Sequence, residues 1–294
     1  MTGTTGTTGT TGTTGTGSEP PFRSVAVVGL GLIGGSIAIG LRRVWPQIAV
    51  IGVDRPDVLA TALSQDAITS ARERIGQLHD VELVVLAVPV PDIIGFIEAA
   101  GAARLETLVT DVGSTKRRVL AAARTARLRF VGGHPMAGTA QTGLAHARPN
   151  LLHGRQWLLV PQEGAELGDE LQRLERLVQG LGALPRRMTA DAHDRVMAYV
   201  SHLPQLLATA LMSTAGDAIG AGGLAAAGPG FADMTRLASS PAEIWRGILA
   251  TNADYVGDAL KALASALPSD TEALTDGRRV DALFDAAHKW SDRT

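Results

Sequence analysis

"VAVVGLGLIGGSIAIGLRRV", residues 25–44, decides how the rest of this 294-residue chain is read. Its first four residues are apolar and mostly β-branched, with no polar alternation, which marks a short strand buried on both faces. Glycines 29, 31 and 34 follow in G-x-G-x-x-G spacing, and from Ile33 to Val44 the pattern is helical. Gly29 allows the tight turn, Gly31 lets backbone approach a pyrophosphate, and Gly34 lets helix and strand pack closely. The helix N-terminus, with its unpaired N–H groups, then faces the phosphates. With 34 glycines in the chain, the spacing alone is weak; its place between strand and helix is what gives it force.

The next buried run, "IAVIGVD" (48–54), ends in Asp54, 20 residues after Gly34. A carboxylate there accepts hydrogen bonds from both ribose hydroxyls of a dinucleotide and repels a 2′-phosphate, so NAD is the expected cofactor. Arg55 keeps NADP open, because a guanidinium beside the ribose pairs with a phosphate.

Working outward, "VELVVLAVPV" (81–90), "ETLVTDVGS" (106–114), "RLRFVGG" (127–133) and "RQWLLVP" (155–161) read as further strands. Helix-like segments lie between several of them, which predicts a parallel sheet with helices on both faces. "ELQRLERLVQGLG" (170–182) reads as an amphipathic helix, and "ALPRRM" as one last edge strand. Beyond Asp191 no strand is expected. Val196, Val200, Leu203, Leu207 and Leu211 recur at helical spacing, and Ala-rich helical segments run on to Trp290. The expected organisation is a Thr/Gly-rich, disordered tail (1–21), a Rossmann-type dinucleotide-binding domain (22–190) and an all-helical domain (191–294).

Composition narrows the function classes. A net charge of −2 leaves no footprint for nucleic acid or an anionic membrane surface. The chain has no cysteine, which excludes disulfides, thiolate metal sites and Cys nucleophiles, and no metal site is expected. No apolar run approaches the roughly 18 residues needed to span a bilayer.

Two further stretches carry chemistry. "GGHPMAG" (132–138) reads as a glycine-rich turn holding His134, and "DVGST" (111–115) as a loop carrying Ser114. By itself Ser114 reads as a helix N-cap and His134 as a turn histidine. Taken together after later strands of a dinucleotide-binding sheet, they offer a hydroxyl and an imidazole near a hydride acceptor. An alcohol being oxidised must lose its hydroxyl proton as hydride leaves, and an imidazole suits that task.

The chain resembles the prephenate/arogenate dehydrogenase family of tyrosine biosynthesis over nearly everything after residue 22. The resemblance is carried, in family order, by "VGLGLIGGS", "DVGSTK", "GGHPMAG", "HDRVMAYVSHLP" and "FADMTRLASSPAEIW". It implies a cytoplasmic homodimeric enzyme whose helical domain dimerises. The implied substrate is prephenate or arogenate, a cyclohexadiene with a 4-hydroxyl, a ring carboxylate and a pyruvyl or alanyl side chain. Hydride leaves C4 for the nicotinamide, and loss of the ring carboxylate as carbon dioxide aromatises the ring. By the same resemblance His134 takes the 4-hydroxyl proton and Ser114 orients that hydroxyl. His202 lies near the substrate side chain, on a helix face with Arg195 and Tyr199, and Arg236 binds a substrate carboxylate, for which a planar guanidinium is suited. Trp245 is expected to pack.

The pattern departs from many prephenate-using members at Ala140, where they carry Glu; "HPMAGTA" resembles some arogenate-preferring members. No chorismate mutase helix is expected ahead of residue 22 and no regulatory domain behind residue 294. Two rival readings are a β-hydroxyacid or imine-reducing dehydrogenase and a non-catalytic nucleotide-sensing module. The first usually needs a catalytic lysine in the helical domain, where this chain offers only Lys261 and Lys289.

Overall fold

A computed structural model describes residues 19–138, 141–164, 167–268 and 270–291. Most of the Thr/Gly tail, and Ala140, lie outside the described residues. The chain divides into two compact units, and the division does not follow sequence order. The first takes in the described residues up to Val88 together with Gly95–Val112 and Ala123–Arg187. The second takes in Pro89–Ile94, Gly113–Ala122 and the described residues from Met188 onward. The short segment carrying Ser114 therefore belongs with the helical unit.

The first unit is built on one eight-stranded sheet: β1 (Ser24–Val28), β2 (Ala49–Val53), β3 (Ser70–Arg72), β4 (Leu83–Leu86), β5 (Leu108–Asp111), β6 (Phe130–Pro135), β7 (Gln156–Pro161) and β8 (Leu184–Arg187). Helices α1 (Leu32–Val44), α2 (Pro56–Ser64), α3 (Val90–Ala102), α4 (Arg117–Thr125) and α5 (Glu170–Gly180) alternate with the strands. The strand order is β3-β2-β1-β4-β5-β6-β7-β8. Strand β1 is flanked by β2 on one side and β4 on the other, so the order reverses there, and the loop after β1 lies at the switch point where α/β sheets bind ligands.

The sheet departs from the expected all-parallel form at one pairing. Strand β7 pairs antiparallel with β6, while β8 runs parallel to β7. A parallel return demands a crossover, usually a helix; among the described residues between β6 and β7 the helical structure is a 3₁₀ turn, Leu144–His146. Strand β3 is three partly buried residues, too short and too polar for periodicity to reveal. Among the buried residues the core alternates faces along β1, with Val25 and Val27 packed against Ile37, Ala38 and Leu41 of α1. The outer strand β8 carries Pro185, Arg186 and Arg187, residues that discourage further strand pairing.

The second unit is helical throughout its described residues. Thr189 caps α6 (Ala190–Met197), its hydroxyl accepting from the Ala192 N–H at 3.2 Å. The helix widens into a π turn at Ala198–His202 and continues as α7 (Leu203–Leu224). Pro204 is the physical cause: it has no N–H to bond the Val200 carbonyl, and the ladder re-registers around the gap. Then come α8 (Pro229–Thr235), a 3₁₀ turn (Arg236–Ser239), α9 (Ala242–Thr251), α10 (Ala253–Ala266), α11 (Thr271–Thr275) and α12 (Gly277–Ser291). Few large apolar side chains are buried here. Tyr199, Val200, Ile219, Met234, Phe284 and Trp290 are all exposed, and α12 buries no residue. No described helix is long and apolar enough to cross a membrane.

Candidate active site

The glycine loop has the geometry its spacing predicts. Gly29 sits at φ +89°, where L side chains are strained, and a Cβ there would lie 2.5 Å from the Ala87 carbonyl oxygen. A Cβ on Gly34 would lie 1.9 Å from the Gly29 carbonyl oxygen, so the contact between helix and loop exists only because residue 34 is glycine. Gly31 is different: it has ordinary backbone angles, and nothing lies within 4 Å of where its Cβ would be. Space is kept open at the start of α1, whose first turn has no acidic residue and no side-chain cap. Its N–H groups are therefore left for an anion.

Asp54 closes the loop from the end of β2. One carboxylate oxygen accepts from the Leu30 N–H at 2.6 Å and the other from the Arg55 N–H at 2.7 Å. Each oxygen keeps a lone pair for a ribose hydroxyl, so the residue both orders the loop and suits a dinucleotide. Arg55 pairs with Asp57 at 3.6 Å, both largely exposed, a contact too weak to commit the guanidinium. The loop, the helix end and Asp54 fit an NAD-type cofactor.

His134 is not on a turn. It lies within β6, opposite Leu158 of β7, and is buried. Gly132 and Gly133 read as turn formers, but at Gly133 the requirement is steric: a Cβ would lie 2.3 Å from the Asp111 carbonyl oxygen and 2.9 Å from the Trp157 indole nitrogen. The Asp111 carboxylate accepts from the Gly133 N–H at 3.0 Å, tying the His134 strand to the end of β5. The histidine thus stands on a rigid element braced on both sides.

Ser114 is not a helix cap. Helix α4 begins at Arg117, and its first N–H groups are taken by the buried carboxylate of Asp194. Asp194 accepts from Lys116 N at 2.7 Å and from Arg117 N at 2.9 Å, and also bonds His193 Nδ1 at 2.8 Å. Burial by itself would push this carboxyl up. The His193 bond and the two backbone N–H groups outweigh it and hold Asp194 below its ordinary range. Thr115 and Thr251 share a hydroxyl hydrogen bond at 2.8 Å. Arg117 stacks on Tyr255, 4.2 Å from its ring centre, pairs with Asp254, and donates to Asn252 Oδ1 at 3.1 Å. The segment bearing Ser114 is fastened to α6, α9 and α10 by these bonds.

His202 is fully buried in the same unit. Its Nδ1 lies 3.2 Å from Asn252 Nδ2, and its ring meets Trp245 edge to face with centroids 6.1 Å apart. Its Nε2 is buried without a hydrogen-bond partner among the described residues. Burial pushes its pKa down to about 4, against the pull of Asp194 and with a further push from His193. The imidazole is neutral at physiological pH. Arg195 and Tyr199 do not share its face, since both are exposed. The π turn Ala198–His202, which includes Tyr199, shifts the helical register, and i−3 and i−7 counting cannot foresee that. Arg236 opens the 3₁₀ turn after α8, is exposed, and makes no side-chain hydrogen bond or ion pair among the described residues. Its turn is tethered by the buried Gln205, which donates to the Leu237 carbonyl at 2.8 Å and accepts from Ser240 Oγ at 3.2 Å.

Sequence reasoning missed Asp194, Arg117, Asn252 and Gln205. For Asp194 a signal existed: a charged pair, His193–Asp194, inside a run whose neighbours Met197 and Ala198 are core. Asn252 gave none, because it reads as an ordinary junction between two helices.

A switch-point glycine loop backed by a strand-end acid, with a separate helical unit carrying a buried histidine and an open guanidinium, defines a two-unit dinucleotide-dependent dehydrogenase. Comparison with known proteins narrows that class. The family description "Prephenate dehydrogenase, nucleotide-binding domain" matches residues 37–185, and "Prephenate dehydrogenase, dimerization domain" matches residues 189–286. The chain is 30% identical over 278 residues to the prephenate dehydrogenase of Lactococcus lactis, covering 91% of this chain and 76% of that protein. A crystal structure of prephenate dehydrogenase from A. aeolicus, in complex with hydroxyphenyl propionate and NAD+, superposes with a TM-score of 0.83 at 29% identity, covering 92% of this chain and 98% of that one. Synechocystis arogenate dehydrogenase gives 0.74 at 26% identity, covering 92% and 98%. The chain belongs to the prephenate dehydrogenase family.

Proposed function

We propose that this chain catalyses the NAD-dependent oxidative decarboxylation of prephenate to 4-hydroxyphenylpyruvate. The observation that carries the reading is the open space at Gly31, framed by the α1 N-terminus and Asp54, in a chain whose two halves match the two parts of one dehydrogenase family. NAD+, when bound, supplies the hydride acceptor. The glycine loop receives its pyrophosphate against the first N–H groups of α1, and Asp54 receives the ribose hydroxyls.

The chain's own residues then divide the work. His134, fixed on β6, accepts the proton of the substrate 4-hydroxyl as hydride leaves C4, so the carbinol becomes a carbonyl. The ring carboxylate then leaves as carbon dioxide, its bonding pair aromatises the ring, and the phenolate oxygen takes the proton back from His134 to become the phenol. Ser114 orients the hydroxyl, and Arg236 pairs with a substrate carboxylate. His202 contacts the substrate side chain. The unpaired Nε2 of His202 and the uncommitted guanidinium of Arg236 support these roles, since each has hydrogen-bonding capacity that the rest of its unit does not use. The substrate domain pairs with its copy in a homodimer: the exposed apolar residues of α6 to α12 and the family's dimerization domain support this. A cytoplasmic location fits the reading. Arogenate is the second substrate reading, favoured by the likeness to the Synechocystis enzyme.

Steady-state kinetics with prephenate and arogenate test the proposal. His134→Ala should lower kcat by roughly 10²–10⁴-fold with little change in KM, and should lose the fall in kcat/KM at acid pH. Arg236→Ala should act mainly on KM, by about 2–3 kcal/mol, the worth of hydrogen bonds between charged groups. Near-normal kcat in His134→Ala, with its acid limb intact, would remove the histidine from the mechanism.

A further inference from the structure

The buried polar network of the helical unit fixes more than the position of His202. Arg117 Nη2 donates to Asn252 Oδ1 at 3.1 Å, which identifies that end of the amide as the carbonyl. The other end, Nδ2, is therefore the donor. It gives one hydrogen bond to the Asp194 carbonyl oxygen at 2.8 Å and faces His202 Nδ1 at 3.2 Å. A ring nitrogen that accepts a hydrogen bond carries no proton, so a neutral imidazole held this way carries its proton on Nε2. That nitrogen is the one buried without a partner among the described residues.

From this geometry we propose that Asn252 is a positioning residue for catalysis: it holds His202 in the Nε2–H tautomer, so that His202 meets the substrate as a neutral hydrogen-bond donor to a carbonyl or carboxylate oxygen and not as a base. The proposal rests on the reading of His202 as a substrate contact. Every group around the ring is consistent with a fixed donor. Arg117 and Asp194 anchor Asn252, and Asp194 is itself saturated by Lys116 N, Arg117 N and His193. Trp245 packs edge to face against the ring and holds its plane. The oxygen atoms of a pyruvyl side chain satisfy such an N–H. An ammonium group brought to the same nitrogen would present donor to donor.

Histidine-selective long-range ¹H–¹⁵N spectra of the full chain test this directly, with the His202 signals assigned by their loss in His202→Gln. At pH 7.5 the wild type should show a protonated Nε2 and a bare Nδ1. A protonated Nδ1, or the averaged shifts of a tautomer mixture, would overturn the proposal without any variant having to fold. Asn252→Asp replaces the amide donor with an acceptor, so the imidazole proton should move to Nδ1. KM for prephenate should then rise roughly tenfold or more while KM for NAD+ is unchanged. An inverted tautomer with an unchanged prephenate KM would overturn the positioning role. A wild type with the expected tautomer and no turnover of prephenate or arogenate would overturn the substrate half together with the functional reading, and the spectrum tells that failure apart from an error in the network.

Discussion

Replacing Gly31 with alanine separates folding from cofactor binding, because the protein itself makes no use of the space at that position. The residue has φ −74°, which alanine adopts without strain, and no atom lies within 4 Å of the added Cβ. Alanine reduces the entropy of the unfolded chain, worth about 0.4–1 kcal/mol in favour of folding. Gly31 is also the N-cap of α1, where alanine is less favourable than glycine by a similar amount. The two effects offset, and the unfolding free energy should stay within about 1 kcal/mol of wild type. The methyl group occupies the approach that the loop leaves for a pyrophosphate, so NAD+ affinity should fall at least tenfold, about 1.4 kcal/mol or more. Urea unfolding without cofactor, followed by circular dichroism, measures the first quantity, and titration calorimetry with NAD+ the second. Gly34→Ala is the contrasting control. Its Cβ would stand 1.9 Å from the Gly29 carbonyl and 2.9 Å from Ala87 Cβ, so it should lose several kcal/mol of stability before any ligand is added. An unchanged NAD+ affinity in a stably folded Gly31→Ala protein would refute the assignment of this loop to the cofactor.

Asp54→Ser should shift the kcat/KM ratio toward NADP+ by removing the charge that a 2′-phosphate would meet, and should weaken NAD+ binding because Leu30 N and Arg55 N lose their acceptor; a wild type that prefers NADP+ would refute the reading of Asp54. Stability should fall on acidification in two windows. His202 has a folded pKa of about 4 against an unfolded value near 6.5, so its contribution is whole above pH 6.5 and is lost as pH falls toward 4, on the order of 3 kcal/mol. Asp194 is depressed in the folded state, so its contribution is whole above an unfolded pKa near 3.8 and disappears only below that. Urea unfolding at several pH values between 7.5 and 4 checks the first window, and a flat profile there counts against the burial of a neutral His202. Sedimentation at micromolar concentration should show a dimer, and a monomer with its helical unit folded would refute pairing through the exposed apolar residues of α6 to α12.

The strand–glycine–helix unit at residues 24–44 was legible in sequence because everything that specifies it is local. Four buried β-branched or small residues, a glycine forced to positive φ and a helix opening without a cap follow one another within a few residues. The place of Asp54 at the end of the next strand was legible for the same reason. His134 was misread as a turn residue because its glycines look like turn formers until β7, more than twenty residues later, supplies their hydrogen-bonding partners. The direction of β7 depended on how the chain between the two strands returns, and no periodicity records that. The motif singles out His202, but it does not give its face, its neighbours or its protonation. A single missing N–H at Pro204 re-registers the helix, and the groups that then meet His202 come from α6, α9 and the junction before α10, with Asn252 fifty residues away. Hydrogen-bond satisfaction in a buried site is a property of where segments meet. It therefore fell to the tertiary structure to decide which carboxylate caps α4, which end of Asn252 faces the imidazole, and which nitrogen of His202 is buried without a partner among the described residues.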